Sequence, residues 1–331
     1  MAALTADEFL AIWRTFLPLS ERLRLVTSQR HGLLAHYTSV PTIEQILRTK
    51  QMWLSNPLYM NDMQEMRAGI SLACQKFPDA ARAAAGSEAR AVILINAFNN
   101  YFSHFDNQTA FDTYIFCLCR QEPDDKDGIL SMWREYGSRG NGAAIVFNLE
   151  KVNFSPISPL VIAEVTYVSN AERAILLDAH LQEWIKITQT LNLPDDHLYV
   201  AAREAFLFTK AIALTTKHRG FEEEHEVRVV YSPDYDPRGY LKSCLDYHVV
   251  PSGVVPKLKY SFGNTYTPTD VADPPTPLET GALTDLLEFF LLGPTGSSVL
   301  AQKSFVRMLE RLNLHAFTDR VFASSIPLRP T

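Results

Sequence analysis

Short apolar runs with a strand-like pattern recur along this chain and alternate with stretches of helical periodicity. In a strand, neighbouring side chains point to opposite faces, whereas a helix repeats its apolar positions every three or four residues. This order of elements predicts an α+β fold with a central mixed or split β-sheet that is flanked by helices. The predicted strands are LLAHY, MWLSNP, residues 114–119, GAAIVF, VIAEVTYV, EVRVVY, residues 244–250, residues 254–260, LEFFLLGP and a segment within HAFTDRVFASS.

The helical stretches and one loop define the predicted domain organisation. A capping-box pattern near the start predicts an N-terminal helical extension over residues 1–30. Residues 31–331 are predicted to form a single α+β domain with a helical insertion near residues 62–106. A segment rich in Pro, Thr and Asp near residues 265–281 is predicted to be a surface loop, and it is the best candidate for a mobile segment.

Composition bounds the cellular setting and the partners. Of the 331 residues 47% are hydrophobic, enough for a large core, and the formal net charge of -6 argues against nonspecific nucleic-acid binding. Among the four cysteines only the pair in FCLC is close in sequence, which indicates neither a zinc site nor a disulfide framework. No stretch approaches the roughly 18 apolar residues of a membrane span. The sequence therefore predicts a cytoplasmic protein with no membrane partner.

Polar side chains cluster where the first two predicted strands end. A histidine such as His36 is more often a hydrogen-bonded structural residue than a ligand-binding one. Asn61 has a similar second interpretation, because Asn often caps a helix. The candidates in this part of the chain are His36, Tyr37, Thr38, Ser55, Asn56 and Asn61.

The run FEEEHEVRVV is the most informative charged segment. Glu224 and Glu226 are two apart, so they are predicted to point to one face of a strand that also carries Arg228. Three aligned charges on one face are costly to bury, so they are expected either to contact solvent or to have a specific role. Either the glutamates pair with Arg228, or the carboxylates face a cleft in which a cationic transition state forms.

Two aromatic residues and one turn complete the set of candidates. Trp133 and Tyr136 lie three apart on one predicted helical face, a spacing compatible both with core packing and with stacking on a ligand. The turn LGPTGSS leads from a strand into a helix, where backbone amides can bind an anion. It matches neither nucleotide-binding fingerprint, which favours a tight turn with a helix cap.

Taken in order, these segments resemble the domain of unknown function 2971 family, small bacterial proteins. The resemblance covers about residues 33–330. Glu223 and Val227 stand where the family usually has aromatic residues. The matching landmarks are HYTS, MWLSNP, NDMQE, FCLC, MWREYG, GAAIVF, Lys217 before FEEEHEVR, LLGP and SSIPLRP.

The fold of that family is in turn similar to ADP-ribosyltransferases, in which a first-strand His or Arg, a second-strand Ser or Tyr and a later Glu surround NAD. This resemblance implies an ADP-ribosyltransferase-like fold. It makes His36 the first-strand residue and Ser55 the second-strand residue. Glu224 and Glu226 then form the Glu-x-Glu strand.

The same resemblance implies roles for these residues. Glu226 is expected to be the main catalytic carboxylate, assisted by Glu224 and His36, because a carboxylate stabilises the oxocarbenium-like transition state that forms when nicotinamide leaves ribose. Tyr37 or Trp133 would stack on nicotinamide. No metal is required. The residues expected to bind NAD are His36, Tyr37, Thr38, Ser55, Asn56, Asn61, Trp133, Tyr136 and Arg228.

We therefore expect a protein that uses NAD as a substrate and either hydrolyses it or transfers ADP-ribose to a macromolecular acceptor, protein or nucleic acid. The resemblance to toxins implies a setting in bacterial stress or phage defence. One alternative is a non-enzymatic interaction module in which the Glu–Arg strand is a structural ion-pair ladder. Another is a nucleic-acid-processing protein, for which local positive charge comes from Arg134, Arg139, Lys217, His218 and Arg219.

Overall fold

The computed structural model describes residues 32–60, 63–137, 140–250, 253–294 and 298–328, together with scattered positions between 5 and 16. Internal contacts divide the chain into two compact units, which alternate along the sequence. The helical unit comprises residues 1–27, 57–113 and 163–221. The sheet unit comprises residues 28–56, 114–162 and 222–331.

Helices and strands alternate along the chain, so the predicted α+β class is confirmed. From residue 32 onward, the described α-helices are α1 (Val40–Thr49), α2 (Met63–Ala85), α3 (Glu88–His104), α4 (Leu130–Glu135), α5 (Asn170–Leu191), α6 (Leu198–Thr215), α7 (Leu283–Leu286) and α8 (Val299–Arg311). The strands are β1 (Leu33–Thr38), β2 (Gln51–Ser55), β3 (Tyr114–Gln121), β4 (Ala143–Asn148), β5 (Leu160–Glu164), β6 (Thr166–Val168), β7 (Thr216–His218), β8 (Glu226–Tyr231), β9 (Leu245–Val250), β10 (Gly253–Ser261), β11 (Thr265–Tyr266), β12 (Thr276–Pro277), β13 (Leu287–Leu292) and β14 (Val321–Ala323).

A large mixed sheet forms the centre of the fold. Its strands follow the order β14-β13-β4-β1-β3-β2-β10-β9, and β8 pairs with β3 and with β5. The pair β13–β14 is parallel. Antiparallel pairing joins β1 to β3 and β4, β2 to β3 and β10, β3 to β8, and β4 to β13.

Two strands share one edge of β3. Strand β1 pairs with the C-terminal part of β3, where Ala35 lies opposite Cys119. Strand β2 pairs with its N-terminal part, where Ser55 lies opposite Ile115. The two strands therefore diverge beside the middle of β3, at Cys117. We call this place the fork.

Apolar side chains cover both faces of the sheet. On the first face, which carries Leu34, Phe116 and Ile145, a large buried cluster includes residues of α1 and α8. The second face, which carries Ala35 and Val146, has a smaller cluster that includes residues of α4. Burial on both faces fixes the register of the central strands, because a slip of one residue would exchange the faces.

Helix α1 shows how the local sequence specifies an element of the sheet unit. Ser39 caps its N-terminus and accepts a hydrogen bond from the Thr42 amide at 3.3 Å. Ile43 and Leu47 are one helical turn apart and are both buried against the sheet. The helix ends at Lys50, which has a left-handed conformation with φ of 56°.

The helical unit is held together by aromatic packing among α2, α3, α5 and α6. The Phe77 ring of α2 stacks on Phe98 of α3 with centroids 4.0 Å apart, and it lies 5.1 Å from Trp184 of α5. The Trp184 indole donates a hydrogen bond to the Ala201 carbonyl of α6 at 2.8 Å. Among the helices that the structure describes, none has the length and apolar character needed to span a bilayer.

The N-terminal positions that are described begin a helix. Thr5 donates its backbone amide to the Glu8 carboxylate at 2.9 Å, and the Glu8 amide donates to the Thr5 hydroxyl at 3.3 Å. These reciprocal bonds are the predicted capping box.

The Pro-rich loop near residues 265–281 is fastened to the sheet unit close to its ends. Strands β11 and β12 pair with each other within it. Near its C-terminal end the buried Glu279 carboxylate accepts hydrogen bonds from the Tyr260 hydroxyl and, at 2.8 Å, from the Gly263 amide. Burial raises the pKa of Glu279 to about 7, partly opposed by the Gly263 bond.

Candidate functional site

Strand β8 carries a buried ion pair. The side chains of Glu226 and Arg228 are 5% and 3% exposed, and they lie on one face as predicted. Arg228 donates two hydrogen bonds to the Glu226 carboxylate, from Nε at 2.8 Å and from Nη2 at 2.9 Å. Of the two arrangements that the sequence allowed, the structure therefore forms the Glu–Arg pair.

Glu224 does not share the strand with Glu226. It ends a 3₁₀ helix, Arg219–Glu224, and β8 begins only at Glu226. Between them His225 has φ of 42°, a left-handed conformation that breaks the two-residue alternation of a strand. The prediction that Glu224 and Glu226 lie on one strand was therefore wrong for Glu224.

The Glu224 carboxylate contacts a partly exposed aromatic residue in the turn after α4. Tyr136, which is 38% exposed, donates a hydrogen bond from its hydroxyl to Glu224 Oε1 at 3.3 Å. The Glu224 carbonyl in turn accepts a hydrogen bond from the Cys119 thiol at 2.7 Å. Glu224 is thus held in place by β3 and adjoins an exposed phenol.

Trp133 and Tyr37 pack in the core on the second face. Trp133 is fully buried, and its indole donates a hydrogen bond to the Asp127 carbonyl at 2.8 Å. The Tyr37 ring meets it edge-on with centroids 4.7 Å apart, and the Tyr37 hydroxyl accepts a hydrogen bond from the Ile129 amide at 3.1 Å. Burial raises the pKa of Tyr37 well above its ordinary value. Neither ring face of Trp133 is open to a ligand.

His36 closes the fork between β1 and β2. Its Nδ1 lies 3.0 Å from the Cys117 carbonyl, which can only accept, so Nδ1 carries the proton. Its ring stacks on Phe116 with centroids 4.3 Å apart. Burial lowers the pKa of His36 to about 4, the bond to Cys117 opposes this, and the Lys257 charge adds to it. The imidazole is therefore neutral at pH 7.

The sheet register separates His36 from Glu226. Glu226 lies opposite Cys119, and Cys119 lies opposite Ala35, so these three side chains point to the second face. His36 follows Ala35 and points to the first face, where it contacts Phe116. The expectation that His36 and the carboxylates line one pocket is corrected by this register.

The remaining predicted residues lie at the ends of β1 and β2. Thr38 ends β1, and its carbonyl lies so close to Gly142 that a Cβ at this glycine would stand 2.3 Å from it. Asn56 is fully buried. Ser55 ends β2, lies opposite Ile115 and so shares the second face with Arg228. Asn61 lies outside the described residues.

Sequence reasoning missed Lys257. This residue of β10 lies directly opposite Ser55 and donates a hydrogen bond from Nζ to the Ser55 hydroxyl at 2.5 Å. Burial lowers the pKa of Lys257. The signal was present in VVPKLKYS, where Lys257 and Lys259 alternate with apolar residues of a strand.

Metal-ligating side chains are dispersed. In the parts of the chain that the structure describes, His, Cys, Asp and Glu do not gather in any group of three or more that could hold a metal ion. The groups that could contact a ligand on the second face are a carboxylate, a phenol, an ammonium and a hydroxyl. They come from Glu224, Tyr136, Lys257 and Ser55.

Fold and site together define a class: an α+β protein with a mixed sheet, in which a strand next to the central β3 carries a buried Glu–Arg pair. The family described as Protein of unknown function (DUF2971) matches residues 132–229, the segment from α4 to β8. The predicted resemblance is confirmed over this segment, which includes Trp133, Tyr136, Glu224, Glu226 and Arg228. No characterised protein and no solved structure was found to match the chain.

Proposed function

We propose that this chain binds NAD, cleaves the bond between nicotinamide and ribose, and passes ADP-ribose to a macromolecule or to water. The observation that carries the proposal is the hydrogen bond between the exposed Tyr136 and the buried Glu224, next to the Glu226–Arg228 pair. The resemblance to ADP-ribosyltransferases supports the same chemistry. A role in bacterial stress or phage defence follows from the resemblance alone.

The proposal assigns the main catalytic role to Glu224. An oxocarbenium-like transition state is stabilised by a fixed carboxylate. The Glu226 carboxylate is bonded by the Arg228 guanidinium at 2.8 Å. The Glu224 carboxylate is contacted by the phenol of Tyr136, whose exposed ring offers a surface on which nicotinamide can stack. Glu226 and Arg228 then position the strand.

The reaction balances with the groups at this site. The glycosidic C–N bond breaks, and nicotinamide leaves with the bonding electrons. The acceptor hydroxyl or water adds to the ribose carbon, and its proton passes to the Glu224 carboxylate acting as a base. No side chain on the first face of the sheet takes part, which leaves His36 with its structural contact to Cys117.

Nicotinamide release and thermal melting with NAD test the proposal. We expect NAD to raise the melting temperature of the wild type, because a ligand that binds the folded state stabilises it. Glu224→Gln is expected to lower the rate of release by roughly 100-fold or more, the size of effect that follows loss of a charge-stabilising group. Its melting temperature without NAD should stay close to that of the wild type.

Two variants control this experiment. Glu223→Gln changes an exposed neighbouring carboxylate and should leave release unchanged. Glu226→Gln breaks the pair with Arg228 and should lower the melting temperature even without NAD. Absence of both a melting shift and release from the wild type would refute the proposal.

A non-enzymatic interaction module is the second candidate. The observation in its favour is that Trp133, Glu226 and Arg228 are all buried and have partners, as expected of structural residues. On this hypothesis NAD neither shifts the melt nor releases nicotinamide. A nucleic-acid role would instead give retention of labelled RNA or DNA that weakens with salt.

A further inference from the structure

Strands β2 and β10 bring a serine and a lysine together across the sheet. The register places Ser55 directly opposite Lys257, so both side chains leave the same face. The distance from Lys257 Nζ to Ser55 Oγ is 2.5 Å, short enough for proton transfer between the two atoms. Both residues are partly exposed.

The surroundings of Lys257 make its ammonium easier to deprotonate. Although Asp246 lies opposite Lys257 in β9, its carboxylate turns to Lys259 and pairs with that ammonium at 2.8 Å. Among the described residues no carboxylate lies within ion-pair distance of Lys257. Burial lowers the pKa of Lys257. A lower pKa leaves a larger fraction of the amine unprotonated and therefore available as a general base for a neighbouring hydroxyl.

The contrast with Lys259 shows that this environment is specific. Lys259 lies two residues further along the same strand and points to the same face. It has a carboxylate partner, Asp246, and it sits over the Trp53 ring at 4.4 Å. Both contacts are of the kind that a cationic side chain makes with its partners. The chain thus provides a matched pair of lysines, of which one contacts a serine hydroxyl.

We propose that Ser55 and Lys257 form a nucleophile–base pair that accepts the acyl group of an ester or thioester substrate. Lys257 removes the proton from the Ser55 hydroxyl, and Oγ attacks the carbonyl carbon. The bond to the alcohol or thiol breaks, and the leaving group takes the proton back from the Lys257 ammonium. Water then releases the acid, with Lys257 again as the base. This activity is independent of NAD and of Glu224.

The pair is tested by labelling the folded protein with a fluorophosphonate probe and mapping the modified residue by mass spectrometry of peptides. In this reaction Oγ attacks phosphorus, the P–F bond breaks, and fluoride leaves. We expect Ser55 to be labelled in the wild type. Lys257→Met should lower the labelling rate by roughly 100-fold, as is typical when a general base is lost.

Two further variants separate catalysis from folding. Lys257→Arg keeps the positive charge and the hydrogen-bond donor but cannot act as a base, because the guanidinium stays protonated. A base role predicts that this variant is labelled as slowly as Lys257→Met, whereas a purely structural role predicts that it is labelled at the wild-type rate. Lys259→Met is the matched control and should label at the wild-type rate.

The labelling results can either support or overturn the Ser55–Lys257 pair. Labelling of Ser55 that depends on Lys257 and not on Lys259 supports the pair, whether or not the protein cleaves NAD. Absence of label at Ser55 in the wild type, or equal rates in the wild type and Lys257→Arg, overturns it. The melting temperatures of all variants identify any variant that fails to fold. If Lys257→Met does not fold, the labelling rates of the wild type and Lys257→Arg still test whether Lys257 acts as a base.

Discussion

Glu226 and Arg228 lie on a strand whose residues are all buried, and each supplies the other's counter-charge. Replacing Arg228 by Leu leaves the Glu226 carboxylate buried without this partner. We expect the free energy of unfolding to fall by about 3–5 kcal/mol, the usual result of breaking a buried ion pair. Urea unfolding followed by circular dichroism measures the change.

The double variant Glu226→Leu with Arg228→Leu is the control for that experiment. The double variant removes the Glu226 carboxylate together with the guanidinium that bonds it, so it should be more stable than Arg228→Leu alone. If Arg228→Leu unfolded at the same urea concentration as the wild type, the pair would not stabilise the fold.

Single residues also mark where sequence reasoning succeeds and where it fails. The spacing of Glu226 and Arg228 predicted their common face, because the two-residue repeat of a strand is a local property. The same argument failed for Glu224, since the left-handed conformation of His225 interrupts the repeat. A histidine with positive φ is uncommon, and no pattern in the sequence predicts it.

At the scale of the elements, the His36 side chain contacts β3 at the fork. Here the Cys117 carbonyl accepts its hydrogen bond from the His36 ring. His36→Phe keeps the stacking on Phe116 but removes that donor. We expect a loss of about 1 kcal/mol in the free energy of unfolding, the usual net contribution of one intramolecular hydrogen bond. Chemical denaturation at pH 7 checks this value, and an unchanged midpoint would mean that water satisfies the carbonyl.

The types of the elements could be predicted, but their pairing could not. Strand β3 and helix α1 follow from apolar spacing and from the Ser39 cap, which are local signals. The contact between Ser55 and Lys257 joins residues that are 202 positions apart. Such a contact depends on the register of β2 against β10, which is set by burial of the whole sheet rather than by either segment.

At the scale of the whole molecule, two titrating groups of the sheet unit affect stability with opposite signs. The folded pKa of His36 is lowered from 6.5 to about 4, so the unfolded chain binds the proton more readily and stability falls as the pH drops through this window. The folded pKa of Glu279 is raised from 4.5 to about 7, so the folded chain holds the proton and stability falls as the pH rises.

These opposing slopes predict distinct profiles for two variants. Glu279→Gln removes the loss of stability with rising pH that Glu279 causes. The melting temperature of this variant minus that of the wild type should therefore increase between pH 4.5 and 6.5. His36→Phe removes the gain of stability with rising pH that His36 causes. The melting temperature of this variant minus that of the wild type should therefore decrease over the same range. Calorimetry at half-unit steps of pH measures both differences. Parallel profiles in all three proteins would contradict the assigned pKa shifts.

Strand β3 has β8 on one edge, and β1 and β2 share the other. Both edges of β3 are therefore bordered by strands, except at the fork, where the His36 ring contacts the Cys117 carbonyl. Among the described strands the outer ones are β5, β9 and β14, and a chain that extends this sheet is expected to attach there. Self-association through added strands would start there and would leave the backbone pairing of the central strand intact.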